Sequence, residues 1–416
     1  MIPNINFVLN NNLCTGCGIC EDICPSHSIK IKKQDGRWSP AIDSTTCLNK
    51  KGCHKCYRVC PGLGINLKMM SDQLYAIGYT DKYIGHYYSL YTGYSTNEEI
   101  RYHGASGGMV TQFLIYLLEK KIIDGAVVTS FSMDDCITPI SYIARSKEDL
   151  FKARSSKYCP VSLNGVGNEI CQLDGRYVIV GLPCHIQGFR KREQIDKKFK
   201  EKIVGYFSIY CSSNRTFNAQ SYLFNKYNVL KSDISYFSYR DNGCLGDMII
   251  KKKNQKTVIT VPYIHYYPRL RSFFKPRRCL TCIDHYGELA DVCFGDIHVE
   301  PYINDKVGIN SWIVRNEYFD KLLKQAQQEG YIIMNALEAN ILNQSQKEML
   351  FSKKRKAKAL INIDRFFGKK TVLYDIVFNE KITLKDYLSV FCINIQRFIG
   401  RHRFLWFLID ISNFKR

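Results

Sequence analysis

The chain has 416 residues, 45% hydrophobic and 23% charged. That composition excludes a mainly disordered protein, and a prior of ~100–200 residues per domain predicts two or three domains with a real core. The 59 Lys and Arg outnumber the 38 Asp and Glu, for a formal net charge of +21. No run reaches the ~18 consecutive apolar residues of a membrane span. The opening MIPNINFVLNNNLC lacks the basic start and apolar run of a secretory signal, which predicts a cytoplasmic protein.

Eighteen cysteines are the second unusual number. The cytosol keeps thiols reduced, so in that compartment they argue for metal rather than for a disulfide framework. Eight lie in the first 60 residues, nine lie between Cys136 and Cys293, and Cys392 follows. Each four-iron centre held by four thiolates is an anion. Part of the excess Lys and Arg is therefore expected as internal counter-charge rather than as a nucleic-acid surface.

Residues 1 to about 78 read as one small Cys-rich unit. Cys14-x2-Cys17-x2-Cys20-x3-Cys24-Pro25 has the bacterial ferredoxin spacing. Three thiolates two residues apart wrap one face of a cubane, and the fourth, before proline, reaches the other cluster. The pattern recurs 36 residues later as Cys53, Cys56, Cys60 and Pro61, with Cys47 three residues early for a strict copy. The crossover assigns Cys14, Cys17, Cys20 and Cys60 to one cluster, and Cys47, Cys53, Cys56 and Cys24 to the other. A pair of zinc knuckles is the rival reading, but zinc does not need the trailing Cys-Pro.

From Tyr79 the pattern becomes an α/β alternation. His103-Gly-Ala-Ser-Gly-Gly108 precedes a helix predicted over 109–121. Small residues let backbone approach an anion, and a helix N-terminus supplies free N–H groups. The same residues also serve as a plain glycine-rich N-cap. Strands are predicted at 125–130, 177–181, 203–210, 248–253, 257–261 and 291–295. Cys184 and Cys211 each follow a strand, and Cys279-x2-Cys282 lies in a later loop. Those four thiols fit a third cluster. Equally, Cys184 and Cys211 fit small buried apolar residues, and Cys279/Cys282 a zinc half-site or redox dithiol.

The ordered motifs GASGG, SSKY (155–158), GLPCHIQG (181–188), the cysteine after SIY (Cys211), RCLTC (278–282) and ADVCFGD (290–296) decide more. In that order they resemble the family of coenzyme F420 hydrogenase and dehydrogenase beta subunits. The ferredoxin unit in front resembles the family's two-cluster branch. The resemblance implies a flavoprotein, with FAD beside a 4Fe–4S cluster and three 4Fe–4S clusters in all. It makes Cys184, Cys211, Cys279 and Cys282 the ligands of the third. It makes Ala105, Ser106, Gly107, Gly108, Ser155, Ser156, Lys157 and Tyr158 the flavin pocket. Lys157 is the candidate catalytic residue, because a cation near the ring or its phosphates stabilises anionic reduced flavin.

Two positions depart from the family's usual pattern. A glycine more often stands at Ser155, and a glutamine at His185. His185 either hydrogen-bonds a cluster sulfur or is a solvated loop histidine. Asp291 and Asp296 are either flavin contacts or structural. Cys159 and Cys293 read as packed thiols, and Cys136, Cys171, Cys244 and Cys392 have no spacing partners.

Residues 341–416 carry 16 Lys/Arg against 6 Asp/Glu. The run Lys353-Lys-Arg-Lys356 and the later FLWFLI (404–409) allow three readings. One is a helix packed on the core with a solvated basic face. The others are a peripheral membrane contact and a dock for an acidic redox partner. No nucleic-acid reading motif accompanies the charge.

The expected fold is an α+β ferredoxin-like domain over 1–78, a mixed-sheet α/β flavin-binding domain over 79–340 and a basic helical tail over 341–416. The expected function is an iron–sulfur flavoprotein oxidoreductase passing electrons between clusters and FAD. Its partner is a ferredoxin or a reductase/hydrogenase subunit, and coenzyme F420 is a candidate substrate. The rival is an electron-transfer subunit with no substrate of its own.

Overall fold

The computed structural model describes residues 3–253, 258–375 and 381–414. Its centre is an eight-stranded mixed sheet. In spatial order the strands are Ile332–Ala336, Ser89–Ser95, Asn310–Val314, Val292–Asp296, Ile203–Ile209, Tyr177–Gly181, Gly125–Phe131 and Pro139–Ala144. The four from Val292–Asp296 to Gly125–Phe131 run parallel, and every other neighbouring pair in the sheet is antiparallel. Parallel strands are covered on both faces and so read as near-continuous apolar runs. Val178 and Ile179, Tyr206 and Phe207, and Val292 and Cys293 are all fully buried.

The strand readings at 125–130, 177–181, 203–210 and 291–295 fall within a residue or two of these elements. Those at 248–253 and 257–261 correspond to Asp247–Lys252 and Val258–Pro262, with Thr257 outside the described residues. These two join Ile234–Asp241 in a separate three-stranded antiparallel sheet. The predicted helix is Met109–Glu119, and it is buried on most sides rather than amphipathic, from Gln112 through Leu117.

The Cys-rich unit contributes a short helix, Ile5–Asn10, and a hairpin of Ile29–Gln34 with Arg37–Ile42. It is not a bead on a string. Its apolar residues Val8, Ile19 and Val59 share one core with Val127, Phe189 and Tyr206 of the large sheet and its helices. The seam is also polar. Asp22 accepts from the amide of Gly167 at 2.8 Å and pairs with Arg192 at 3.4 Å. Leu163 N–H donates to the carbonyl of Cys17. At Gly18, φ is +88°, and a Cβ would stand 2.3 Å from Ser162 Oγ, so only glycine fits this seam.

The C-terminal segment closes back on both parts. Leu373–Tyr374 pairs in parallel with Gly64–Ile65 of the Cys-rich unit. Trp406 and Ile409 enter the core beneath the three-stranded sheet. Among the described residues, no helix is long and apolar enough to cross a membrane.

Candidate redox site

Ligands of parallel α/β sheets sit outside the carboxyl ends of the strands. Here those ends carry the sequence motifs. Gly181 ends one strand, and Leu182 caps the helix Pro183–Glu193, with proline at its first position and Cys184 next. Cys211 lies two residues past the end of Ile203–Ile209, its N–H held by the carbonyl of His285 at 3.0 Å. Cys279 lies in the one-turn helix Arg277–Leu280, and Cys282 just beyond it.

The thiols fall into neighbouring sets. Burial pushes the Cys20 thiol well up, and the thiolates of Cys17, Cys14, Cys60 and Cys56 add to it. Burial raises Cys56 as well, with Cys24 and Cys53 adding to it. Cys47 stands at the head of the short turn Leu48–Lys51, and Cys53 N–H bonds back to Leu48. Burial raises Cys184, and so do Cys211, Cys17, Cys279 and Cys282. Cys211 is pushed up to about 12 by burial, against the nearby Lys353 ammonium. Cys56 therefore links the first two sets, and Cys17 links the first to the third. Among the described residues, no three His, Cys, Asp or Glu groups are placed to hold a single metal ion. A four-iron cube takes its thiolates at separate corners, a different demand from one ion.

The junction of sets is braced by basic side chains. Lys191 Nζ donates to the carbonyls of Cys60 and Gly64, each at 2.9 Å. Arg278, beside Cys279, donates to the carbonyls of Gly62 and Pro61 at 2.9 and 3.1 Å. Lys353, from the tail's charge run, is only 5% exposed. Its Nζ donates to the carbonyl of Asp284 at 3.2 Å. Burial alone would lower its pKa, but the thiolates of Cys282, Cys211 and Cys279 outweigh that and hold it above the usual lysine value. Lys354 is buried too, so half of that run is not a solvated face.

A cavity of about 270 Å³ opens against Cys211. Its wall includes Ala105, Ser106, Gly108, Ser155, Ser156, Lys157 and Tyr158. Gly107 is not in that wall. It packs where a Cβ would meet the backbone of Gly93 and Asn310 at 2.8 Å. The Met109 amide at the helix start is already taken by Asn310 Oδ1 at 3.1 Å, so fewer free N–H groups remain than the motif promises. Ser155 has φ +70°, a left-handed conformation that glycine adopts without strain. That accounts for the glycine the family resemblance places there. A second cavity, of about 620 Å³, adjoins the first and shares Arg154, Ser155, Ser156 and Lys157 with it.

Lys157 does not reach freely into this space. Its Nζ donates to the carbonyls of Ala153, Arg154 and Ser155 at 2.6, 2.6 and 3.1 Å, capping the end of helix Lys147–Ala153. Burial pulls its pKa down to about 7, with Arg154 adding to the pull. Three carbonyl acceptors oppose this, because each favours the ammonium form.

The structure resolves the other open residues. His185 is 2% exposed, so it is no solvated loop histidine. Its Nδ1 accepts from Leu182 N–H, and its Nε2 faces the carbonyl of Val161, each at 3.2 Å. Burial pushes its pKa down to about 4, which keeps the ring neutral in that bridging role. Asp291 is structural, held by Arg190 at 3.0 Å, Asn316 at 2.8 Å and the Tyr206 amide at 2.7 Å. Asp296 lines the first cavity and pairs with Arg240 at 2.7 Å.

Sequence reasoning passed over two wall residues. Tyr267 packs against Tyr158 with centroids 4.2 Å apart and ring planes tilted by 37°, an aromatic patch in the wall. Arg215, four residues after Cys211, is 5% exposed and lies over the Tyr267 ring. Its Nη1 donates to Ser213 at 2.9 Å, its Nε has no partner, and no ion pair is formed by it among the described residues. A buried cation with an unused donor beside a cavity fits an anionic ligand group such as a diphosphate. The aromatic patch suits a planar ring. The residues present therefore fit a flavin dinucleotide, and the thiol sets fit iron–sulfur clusters.

Comparison with known proteins gives the family and the iron–sulfur domain. The N-terminal model of the coenzyme F420 hydrogenase/dehydrogenase beta subunit matches residues 90–166, and its C-terminal model matches residues 174–340. A 4Fe-4S dicluster domain matches residues 13–62. The coenzyme F420-dependent sulfite reductase of Methanocaldococcus jannaschii is 24% identical over 348 residues, covering 80% of this chain and 49% of that protein. The chain thus spans about half the length of that relative. The coenzyme F420 hydrogenase beta subunit of Methanosarcina barkeri is 24% identical, over 56% of this chain and 80% of its own. A subunit of the F420H2 dehydrogenase of Methanosarcina mazei is 23% identical, over 80% and 88%. The fold is shared with a chain of the F420-reducing NiFe hydrogenase complex of Methanosarcina barkeri. The TM-score is 0.55 at 21% identity, over 71% of this chain and 98% of that one. Two halves of one family's model thus meet across the sheet and its cavity, and the chain belongs to the family of coenzyme F420 hydrogenase/dehydrogenase beta subunits.

Proposed function

We propose that this chain is an iron–sulfur flavoprotein oxidoreductase in which three 4Fe–4S clusters lead to one FAD. The observation that carries the reading is the cavity wall that unites Ala105, Ser106 and Gly108 with Ser155–Tyr158 and Cys211. In this reading residues 1–78 hold two clusters, residues 79–340 hold the third and the flavin, and residues 341–416 brace the junction. Cys14, Cys17, Cys20 and Cys60 hold one cluster, and Cys24, Cys47, Cys53 and Cys56 another. Cys184, Cys211, Cys279 and Cys282 hold the third, nearest the cavity. A bound flavin supplies the exchange between one-electron and two-electron transfer that clusters alone do not make.

The chain's own residues have distinct tasks. Tyr158 and Tyr267 offer the ring an aromatic patch. Arg215 places a buried cation at the cavity wall, beside the ligand's anionic part. Lys157 is a positioning residue, since it fixes the end of helix Lys147–Ala153 and so shapes the wall. Lys353 and Lys191 offset thiolate charge and hold the loops that carry the thiols.

Coenzyme F420 is the proposed two-electron partner because several relatives carry it in their names. Anaerobically purified protein should contain about twelve irons and one FAD per chain. About eight irons with no flavin, and none bound on addition of FAD, would overturn the reading. A second reading is an electron-transfer subunit with no substrate of its own. It is favoured by the two relatives named as subunits. Turnover that appears only when a partner protein is added would select it.

A further inference from the structure

Helix Leu384–Arg401 packs on the protein with its more polar side. Asp386, Val390, Arg397 and Gly400 are its buried residues. Arg397 Nε donates to the carbonyl of Lys275 at 2.8 Å. At Gly400 a Cβ would stand 2.0 Å from the carbonyl oxygen of Phe273, so this contact is close and specific. The opposite side carries Leu384, Leu388, Phe391, Ile395 and Phe398, all between 46% and 74% exposed. Their spacing of four and three residues is one stripe along the helix, ~21 Å long. In the next helical segment Trp406 and Ile409 turn inward, while Phe404, Phe407 and Ile411 are more than half exposed.

This inverts the usual arrangement, in which a surface helix buries its apolar stripe. Contiguous apolar exposure of this kind marks an interaction surface. The charge beside it is of one sign. Lys381, Lys385, Arg401 and Arg403 are exposed. The two acids of residues 381–414, Asp386 and Asp410, are ion-paired with Arg355 and Lys226.

We propose that this face is a peripheral membrane anchor that lies in the surface of an anionic bilayer. A second copy of the chain would bring like charges together. A protein partner is held in register by hydrogen bonds within the contact, at about one per 100–200 Å². The stripe's outward side chains are hydrocarbon and offer none. A fluid bilayer needs none: it takes Phe, Leu and Ile below the headgroups while Lys and Arg extend to the phosphates. The inner side of the same helix, through Val390 and Ile393, lines a small cavity shared with Cys279 and Cys282. Docking would therefore hold these two thiols close behind the membrane-bound helix. The inference rests on the exposed face and does not depend on the flavin reading.

The test is co-sedimentation of the anaerobically purified full chain with vesicles of phosphatidylcholine alone, or with 30% phosphatidylglycerol (on the order of a natural anionic fraction). The expected result is at least ten-fold tighter binding to the anionic vesicles, weakened by salt. The variant Phe391→Ser/Phe398→Ser should lose at least ten-fold, and so should Lys385→Glu/Arg401→Glu. All four residues are exposed, and unchanged iron content and thermal unfolding would show that the fold is intact. Equal recovery with and without vesicles would overturn the proposal. So would a lipid-free dimer that the Phe391→Ser/Phe398→Ser variant converts to monomer. So would capture of the wild-type chain, but not of the charge variant, by a purified acidic ferredoxin without affinity for vesicles.

Discussion

Replacing Lys353 by methionine isolates one charge beside the third thiol set. The lysine is 5% exposed, and Cys282, Cys211 and Cys279 lie near enough to raise its pKa. Methionine keeps the length and the apolar stem. At an effective dielectric of ~20 and a separation of ~5 Å, Coulomb's law gives ~3 kcal/mol between the ammonium and an added electron. A tenfold change is about 1.4 kcal/mol or about 59 mV for one electron, so the loss is worth roughly 100–150 mV. The sign follows from the charge: without the cation an added electron is less stabilised, and the midpoint potential falls. The assay is an anaerobic redox titration followed by electron paramagnetic resonance, with iron counted in the same samples. Lys353→Arg, which keeps the charge, should stay within about 30 mV of wild type. A Met variant with full iron and every midpoint within about 20 mV of wild type would refute the reasoning, as would a rise.

Other expectations follow from the same geometry. Cys184→Ala should remove about four irons and spare about eight, while Cys17→Ala should remove a different four, each read by iron analysis and spectra. Arg215→Leu should weaken FAD binding by roughly tenfold or more, read by fluorescence titration, with iron content unchanged. Gly18→Ala places a methyl against Ser162 and Asn164 in a left-handed backbone position. It should cost about 2 kcal/mol or more in denaturant unfolding and loosen the Cys-rich unit from the sheet.

The sequence was most informative where chemistry repeats at fixed spacing. The doubled cysteine pattern of residues 14–61 names an iron–sulfur unit, because such spacing is the geometry of the loop that wraps a cluster. The parallel strands were legible as well, since burial on both faces forces runs such as YVIVG. The strands at 248–253 and 257–261 were also visible, but not the sheet they join, because local pattern does not encode pairing partners. Arg215 and Tyr267 were invisible as wall residues. They stand 52 positions apart in sequence, and only the packed loops set one over the other.

Lys353 shows the limit most sharply. As letters, Lys-Lys-Arg-Lys is a charge run, and a charge run ordinarily faces water. In the fold, Ser352–Lys356 forms a π-helical turn, and Lys353 and Lys354 are buried, Lys353 facing Cys211, Cys279 and Cys282. Local spacing by itself determined which residues carry thiols, strands and caps. The tertiary structure decided which thiols became neighbours, which cations turned inward, and which helix presented its apolar side outward. The physical reason is that burial and electrostatic pairing depend on distances through space, and the chain brings residues hundreds of positions apart into contact only when it folds.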